Sequence, residues 1–308
     1  MSVGVCIINR NGIALAADSA GTYTGNKMFY NSMNKVFSIS RKYVYGVITY
    51  GATVIHNVSI DQVLKEFRTF LDSKSEVNDF FEILPSFVEF IEQKNNLPLA
   101  KETSNAMGLF FCGYGRNDAF PKFTHIELYN VVGGKVKYKL IENYEESNNQ
   151  AKIVPLAQID VILTFCKGIS NTFINYIPQK VESIVNAKID AIPDTFTESQ
   201  KNELKEAFLS VKNEIASAID TTIQNSNVMP ILNSVQLIPL AEMAFFAENL
   251  VNMTTLKRTF AIDGNQQTVG GPTDVAVLSK GDGFVWIKRK LYFDGQLNPN
   301  YALRLCEF

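Results

Sequence analysis

Few residues of this chain have the type and spacing for chemistry by local motif alone. Only two histidines occur, His56 and His125, so a Ser-His-Asp arrangement would have to recruit one of them. His56 precedes a helical pattern and His125 lies within a strand pattern, and both read as structural residues. Cys6, Cys112, Cys166 and Cys306 stand far apart, with none of the short Cys/His spacings of a zinc site. They read mostly as buried, reduced thiols. Gly113-Tyr114-Gly115 follows a strand but lacks the third glycine and the following helix of a dinucleotide-binding turn. The segment GTYTGNK at 21–27 has glycines and a lysine without the spacing of a phosphate loop, and reads as a turn. No cofactor and no metal is expected.

The elements that must position any site follow from periodicity. VGVCIIN and IALAAD flank Asn9-Arg10-Asn11-Gly12, and an Asn-Gly step between runs rich in Val, Ile and Ala signals a hairpin. Strands are expected near 3–9, 12–18, 34–40 and 43–50. From Ser59 the period changes: Ile60, Val63, Leu64, Phe67 and Leu71 recur at helical steps, and Phe80 to Glu92 repeats the pattern. Strands return from Met107 to about Leu140, with Gly133-Gly134 as a turn. A helical block runs from about Gln158 to Met253, with the charged amphipathic piece Glu198 to Ile223 at its centre. The late segment GGPTDVAVLSKGDGFVWIKRK reads as two strands joined by Gly-Asp-Gly. This order implies two stacked sheets with helices outside both, rather than a βαβ repeat.

At 308 residues with 46% hydrophobic content the chain can bury a large core. Its 29 Lys and Arg against 31 Asp and Glu are spread evenly, so no basic face points to nucleic acid. The 22 Phe and 12 Tyr are dispersed at core spacing, which suits packing better than base stacking. No run of apolar residues is long enough for a membrane span, and the opening MSVGVCIINRNG lacks the features of a signal peptide. No membrane association and cytoplasmic residence are the expectations.

The segment VGVCIINRNGIALAADSAGT resembles the opening of proteasome beta subunits and their bacterial relatives, including the ancestral beta-subunit type: a strand, a Gly-bearing turn, and a second strand ending in Ala-Ala-Asp. An ungapped match on Gly12 and Asp18 puts the family's N-terminal nucleophile on Ser2. The family's active-site lysine falls on Lys35 within Asn34-Lys35-Val36-Phe37, after a one-residue insertion. Its oxyanion-hole glycine falls on Gly51 at the end of Ile48-Thr49-Tyr50-Gly51. MGLFFCGYGRNDAFPKFTHIELYN resembles the middle hairpin of that fold, and GGPTDVAVLSKGDGFVWI its late Gly-Gly strand pair. The sequence departs from the family at Ser2, where threonine is usual. It departs again at Gln266-Gln267-Thr268-Val269, where Asp-x-x-Ser precedes the late glycines.

The resemblance implies an α+β fold, the four-layer αββα sandwich of N-terminal-nucleophile (Ntn) hydrolases. Residues 1–308 would form a single domain with an extra helical insertion at about 180–230. It implies a peptidase or amidohydrolase in which Ser2, freed by removal of Met1, attacks a peptide carbonyl. An N-terminal serine carries a hydroxyl and an α-amine of pKa about 7.7–8, close enough to neutrality to serve as its base. Lys35 would lower the pKa of both groups, Asp18 would hold Lys35, and the Gly51 N–H would stabilise the oxyanion. The implied partners are a polypeptide substrate, copies of the chain in a homo-oligomeric ring, and an ATP-dependent unfoldase. Two other functions stay open: a catalytically inactive scaffold of the same fold, and an amidase acting on a small amide.

Overall fold

The computed structural model describes residues 2–23, 28–55, 58–74, 77–93, 107–132, 135–145, 150–193, 196–260, 269–291, 293 and 297–298. The chain opens with β1 (Val3–Asn9) and β2 (Gly12–Ala17), followed by the short pair β3 (Gly21–Tyr23) and β4 (Met28–Tyr30). Next come β5 (Val36–Ser38), β6 (Tyr45–Gly51) and the two-residue strands β7 (Val54–Ile55) and β8 (Val58–Ser59). Helix α1 (Ile60–Ser73) starts where the Ser59 side chain accepts the Gln62 N–H, and α2 (Ile83–Gln93) follows a 3-10 turn at Phe80–Glu82. Strands β9 (Met107–Gly113), β10 (Lys122–Val132), β11 (Lys135–Glu145) and β12 (Lys152–Ala157) precede the helices α3 (Asp160–Lys167), α4 (Asn171–Asp190), α5 (Glu198–Ile223), α6 (Met229–Leu237) and α7 (Leu240–Phe260). Strands β13 (Asp274–Ser279) and β14 (Gly283–Lys288) come last.

The chain divides into two compact units, Met1–Gln158 with Val235–Phe308, and Ile159–Ser234. The first unit is α+β. Its two five-stranded antiparallel sheets have the orders β12-β1-β2-β13-β14 and β11-β10-β9-β6-β5. Strand alternation sends Cys6, Ile8, Ile13, Leu15, Ala276 and Leu278 of the first sheet against Val36, Ile48, Phe110, Cys112 and Phe123 of the second, forming the inter-sheet core. The other face of the second sheet carries Phe37, Val47, Leu109, Phe111 and Ile126, which pack on Val63, Phe67, Leu71, Phe87 and Ile91 of α1 and α2. Helix α7 covers the outer face of the first sheet along β1, β2 and β13. The layers are therefore α7, sheet, sheet, and α1 with α2, an αββα sandwich of the type used by Ntn hydrolases.

The second unit is helical, and the segment 180–230 lies within it. Helices α4 and α5 run side by side, tied by Lys212–Glu182 (2.7 Å) and Lys205–Asp190 (2.6 Å). A capping box of Thr197 and Gln200 starts α5. Among the described residues no helix is long and apolar enough to cross a membrane.

Three strand expectations need correction. The strand expected at 34–40 is confined to Val36–Ser38, because the Ser40 hydroxyl accepts the N–H groups of Lys42 (3.1 Å) and Tyr43 (2.9 Å) and turns the chain. Strand β12 was hidden by Pro155, which lacks a donor for a ladder; β12 is an edge strand, where a proline is tolerated. The β3–β4 pair begins at Gly21, in a segment that reads as a turn by composition. The Gly133-Gly134 turn lies outside the described residues.

The β1–β2 turn illustrates how tightly the layers constrain the chain. Gly12 has φ 153°, and a Cβ placed there would stand 2.3 Å from the Leu278 carbonyl oxygen on β13. Gly12→Ala is expected to cost about 1–3 kcal/mol, because the backbone of one strand must shift. Urea unfolding measures this, and an unchanged midpoint would mean that the turn relaxes without cost.

Candidate active site

The sequence-derived candidates come from strand ends at one edge of the sandwich. Ser2 immediately precedes β1, Asp18 follows β2, Lys35 precedes β5, and Gly51 ends β6. The β1–β2 register pairs Gly4 with Ala17, which puts Asp18 opposite Val3 at the end of the ladder. The two then bond reciprocally: the Asp18 N–H donates to the Val3 carbonyl (3.1 Å), and the Val3 N–H donates to Asp18 Oδ1 (2.9 Å).

Asp18 is 1% exposed and uses its whole carboxylate. Oδ1 accepts from Val3 N–H and from Lys35 Nζ (2.6 Å), while Oδ2 accepts from the N–H groups of Ala20 (3.1 Å) and Gly270 (3.2 Å). Four donors fill the four acceptor positions of a carboxylate. Lys35 comes from the second sheet, so the ion pair bridges the two sheets. The lysine is 5% exposed; burial pushes its ammonium below the usual lysine pKa, and Asp18 partly opposes that shift.

The remaining candidates, Ser2 and Gly51, lie at strand ends of the same two sheets. Ser2 is buried, its carbonyl accepts the Gln158 N–H (3.1 Å), and it is the neighbour of the residue whose amide shares Asp18 Oδ1 with Lys35. The Lys35 carbonyl accepts the Thr49 N–H (2.8 Å). Gly51 lies two residues beyond Thr49 on the same strand and pairs in register with Met107 of β9. Gly51 has φ 83°, a left-handed conformation that glycine adopts without a Cβ penalty.

Three further features stand at this edge, the first two of them not singled out from the sequence. Asp274, at the start of β13, is buried, pairs in register with Ala17 and forms an ion pair with the partly buried Lys290. Both charges act on Lys35, Lys290 lowering its pKa and Asp274 raising it. Ala157, opposite Val3 on β12, has φ 63°, uncommon for a residue with a side chain. The late glycines join the site directly: the Gly270 carbonyl accepts the Ser19 N–H (3.0 Å) while its own N–H goes to Asp18. Asp274, Lys290 and Ala157 are distant in sequence from the opening hairpin, and neither spacing nor composition marks them. Of the Gln266 to Val269 segment, residues 266–268 lie outside the described residues, as does His56.

His125 is engaged elsewhere. Its Nε2 lies 2.7 Å from the Tyr50 hydroxyl, and burial lowers its pKa while pushing that of Tyr50 up to about 12. Cys6 and Cys112 face each other across the inter-sheet core, where burial first, and each other's presence second, push the Cys6 thiol well up. Such thiols are poor nucleophiles.

Two outcomes follow. Asp18→Ala strands the Lys35 charge and three amide donors, and is expected to cost about 3–5 kcal/mol in urea unfolding. Lys35→Met should cost less, because the carboxylate keeps its three amide donors; the reverse order would overturn this account of the cluster. For His125 the folded pKa lies below the unfolded value of about 6.5, so its contribution is complete above that pH and is lost as pH falls through it, at up to about 1.4 kcal/mol per pH unit. His125→Gln should flatten that part of the stability profile between pH 7.5 and 5.5.

No family model matches this chain, and no curated protein sequence matches it. Among solved structures, the chain is similar to Anbu from Hyphomicrobium sp. strain MC1, with TM-score 0.44 and 10% identity over 99% of this chain and 96% of that one. A Gly-1 mutant of the same protein gives the same values. Anbu (ancestral beta-subunit) from Yersinia bercovieri gives TM-score 0.42 and 10% identity over 99% and 94% of the two chains.

Proposed function

We propose that this protein is a serine-type Ntn amidohydrolase that cleaves peptide bonds after removal of Met1 exposes the α-amine of Ser2. The observation that carries this reading is the sharing of Asp18 Oδ1 between the Lys35 ammonium and the Val3 amide. It ties a desolvated lysine to the backbone next to the only residue in the cluster with a hydroxyl and, once freed, an amine.

In this reading the Ser2 amine, with its pKa lowered by the Lys35 charge, takes the hydroxyl proton as Oγ attacks the substrate carbonyl. The carbonyl oxygen gains the negative charge and is met by the Gly51 N–H, a donor worth about 3–4 kcal/mol to the transition state. Collapse breaks the C–N bond, the departing nitrogen takes the proton from the amine, and Ser2 holds the acyl group as an ester. Water, deprotonated by the same amine, then releases the acid and restores the hydroxyl. Asp18 holds Lys35 in place and exchanges no proton.

The substrate in this reading is a polypeptide. The protein works as a homo-oligomeric ring, to which an ATP-dependent unfoldase would deliver substrate. A second reading, an inactive scaffold of the same fold, is favoured by Gln266-Gln267-Thr268-Val269 in place of a supporting acid and hydroxyl.

Intact-protein mass spectrometry before and after treatment with a peptide epoxyketone separates the two, since the probe requires the hydroxyl and the free amine of one residue. Loss of Met1 with one adduct, absent in Ser2→Ala and slowed at least tenfold in Lys35→Met, is the expected result. A retained Met1 with no adduct would overturn the enzyme reading in favour of the scaffold.

A further inference from the structure

A cavity lies at the opposite edge of the same sandwich. It has a volume of 430 Å³ and is lined by residues of three strand connections. Lys42 lies between β5 and β6, Arg116 between β9 and β10, and Lys280 between β13 and β14. Gly51 ends the strand that Tyr45 begins, and seven residues of strand separate the two edges by about 20 Å. This cavity is therefore distinct from the cluster around Asp18.

Among the described residues the charged ones lining it are these three cations, all exposed at the rim. Lys42 donates to the Asp72 carbonyl, and two described carboxylates stand close by. Asp118 bonds Lys122 (3.0 Å) and takes the Gly115 N–H (2.7 Å), and Asp79 faces Lys122 at 3.7 Å. Lys280 donates to the Asp118 carbonyl (2.8 Å), a neutral acceptor. The floor is aromatic: Tyr114 is buried, and Tyr43 is stacked on Tyr45 with ring centroids 5.6 Å apart. The Tyr43 hydroxyl accepts the Val77 N–H (3.2 Å) and keeps its own proton to donate.

We infer that this cavity binds a small polyphosphate anion, with Lys42, Arg116 and Lys280 meeting its charges above a floor of Tyr43 and Tyr114. Three cations converging from two sheets match a ligand with several negative oxygens, and the volume falls within the range of small-molecule sites. Free polyphosphate and a nucleoside polyphosphate share this chemistry; they differ in whether the tyrosines have a ring to contact. The contacts are exposed to solvent, so binding weakens with salt.

Isothermal titration calorimetry of the full chain with tripolyphosphate and with ATP, at low and high salt, tests the inference without reference to hydrolysis. Binding of either ligand is expected at low salt, weakened at least tenfold in the combined Lys42→Ser, Arg116→Ser, Lys280→Ser variant. Tighter binding of ATP would identify a nucleotide, and equal binding a free polyphosphate. Thermal melting without ligand checks that the variant is folded. Should it prove unstable, the single variants Arg116→Ser and Lys42→Ser are expected each to weaken binding. No binding of either anion at millimolar concentration, or binding that these substitutions leave unchanged, would overturn it.

Discussion

The carboxylate of Asp18 is the contact on which this architecture turns. One buried group accepts from the start of β1, from the chain just after β2, from a lysine preceding β5 in the other sheet, and from the glycine that leads into β13. Burying a carboxylate and an ammonium costs several kcal/mol per ion, and their attraction offsets this only where the remaining hydrogen-bonding positions are filled. Here every acceptor position is filled, and three of the donors are backbone amides fixed by the ladder and loops. The pair therefore adds less to net stability than it adds to specificity. Any slip of β1 against β2, or of one sheet over the other, would leave a buried charge without its partners.

Close approach of the sheets makes that geometry attainable. Gly4 faces inward, and a Cβ there would stand 3.1 Å from Ile48 Cγ2, so the sheets are at contact distance just inside the ion pair. Gly46 plays the same part farther along, where Leu15, Leu278 and Phe284 would meet an added Cβ at 3.1–3.2 Å. On the outer face Ala14 and Ala16 present small side chains to α7. A cluster mounted on strand ends of a sandwich packed this closely is held by the core rather than by loops, which is the condition for a preorganised site.

How much of this was legible in the sequence depended on how local the cause was. The Asn9 to Gly12 turn and its flanking strands are determined by neighbouring residues, and they stand where the pattern put them. The same is true of the α1 stripe and of the bounds of α5. Strand β12 was not legible, since Pro155 argues against a strand unless one knows that it lies at an edge. Asp18 and Lys35 are 17 residues apart on different sheets, and their pairing was suggested by resemblance to a family rather than by spacing. The Asp274–Lys290 pair and the left-handed Ala157 had no signal at all. One arises when a loop after β14 folds back on the start of β13, and the other is a dihedral angle imposed by the neighbouring strand.

The same saturation that makes Asp18 a good anchor decides which groups can move protons. A carboxylate whose four acceptor positions are taken by one ammonium and three amides has no position from which to accept a substrate proton without breaking a bond the fold depends on. His125 is held by Tyr50, and the Cys6 and Cys112 thiols are buried in the core. Among the described residues at this edge, the titratable side chains left are Lys35, which is paired, and Asp274 with Lys290, which pair with each other. In the proposed reaction the base is the amine of Ser2 itself. The proposed hydrolysis thus depends on a free amino group there, whereas a scaffold of the same fold does not.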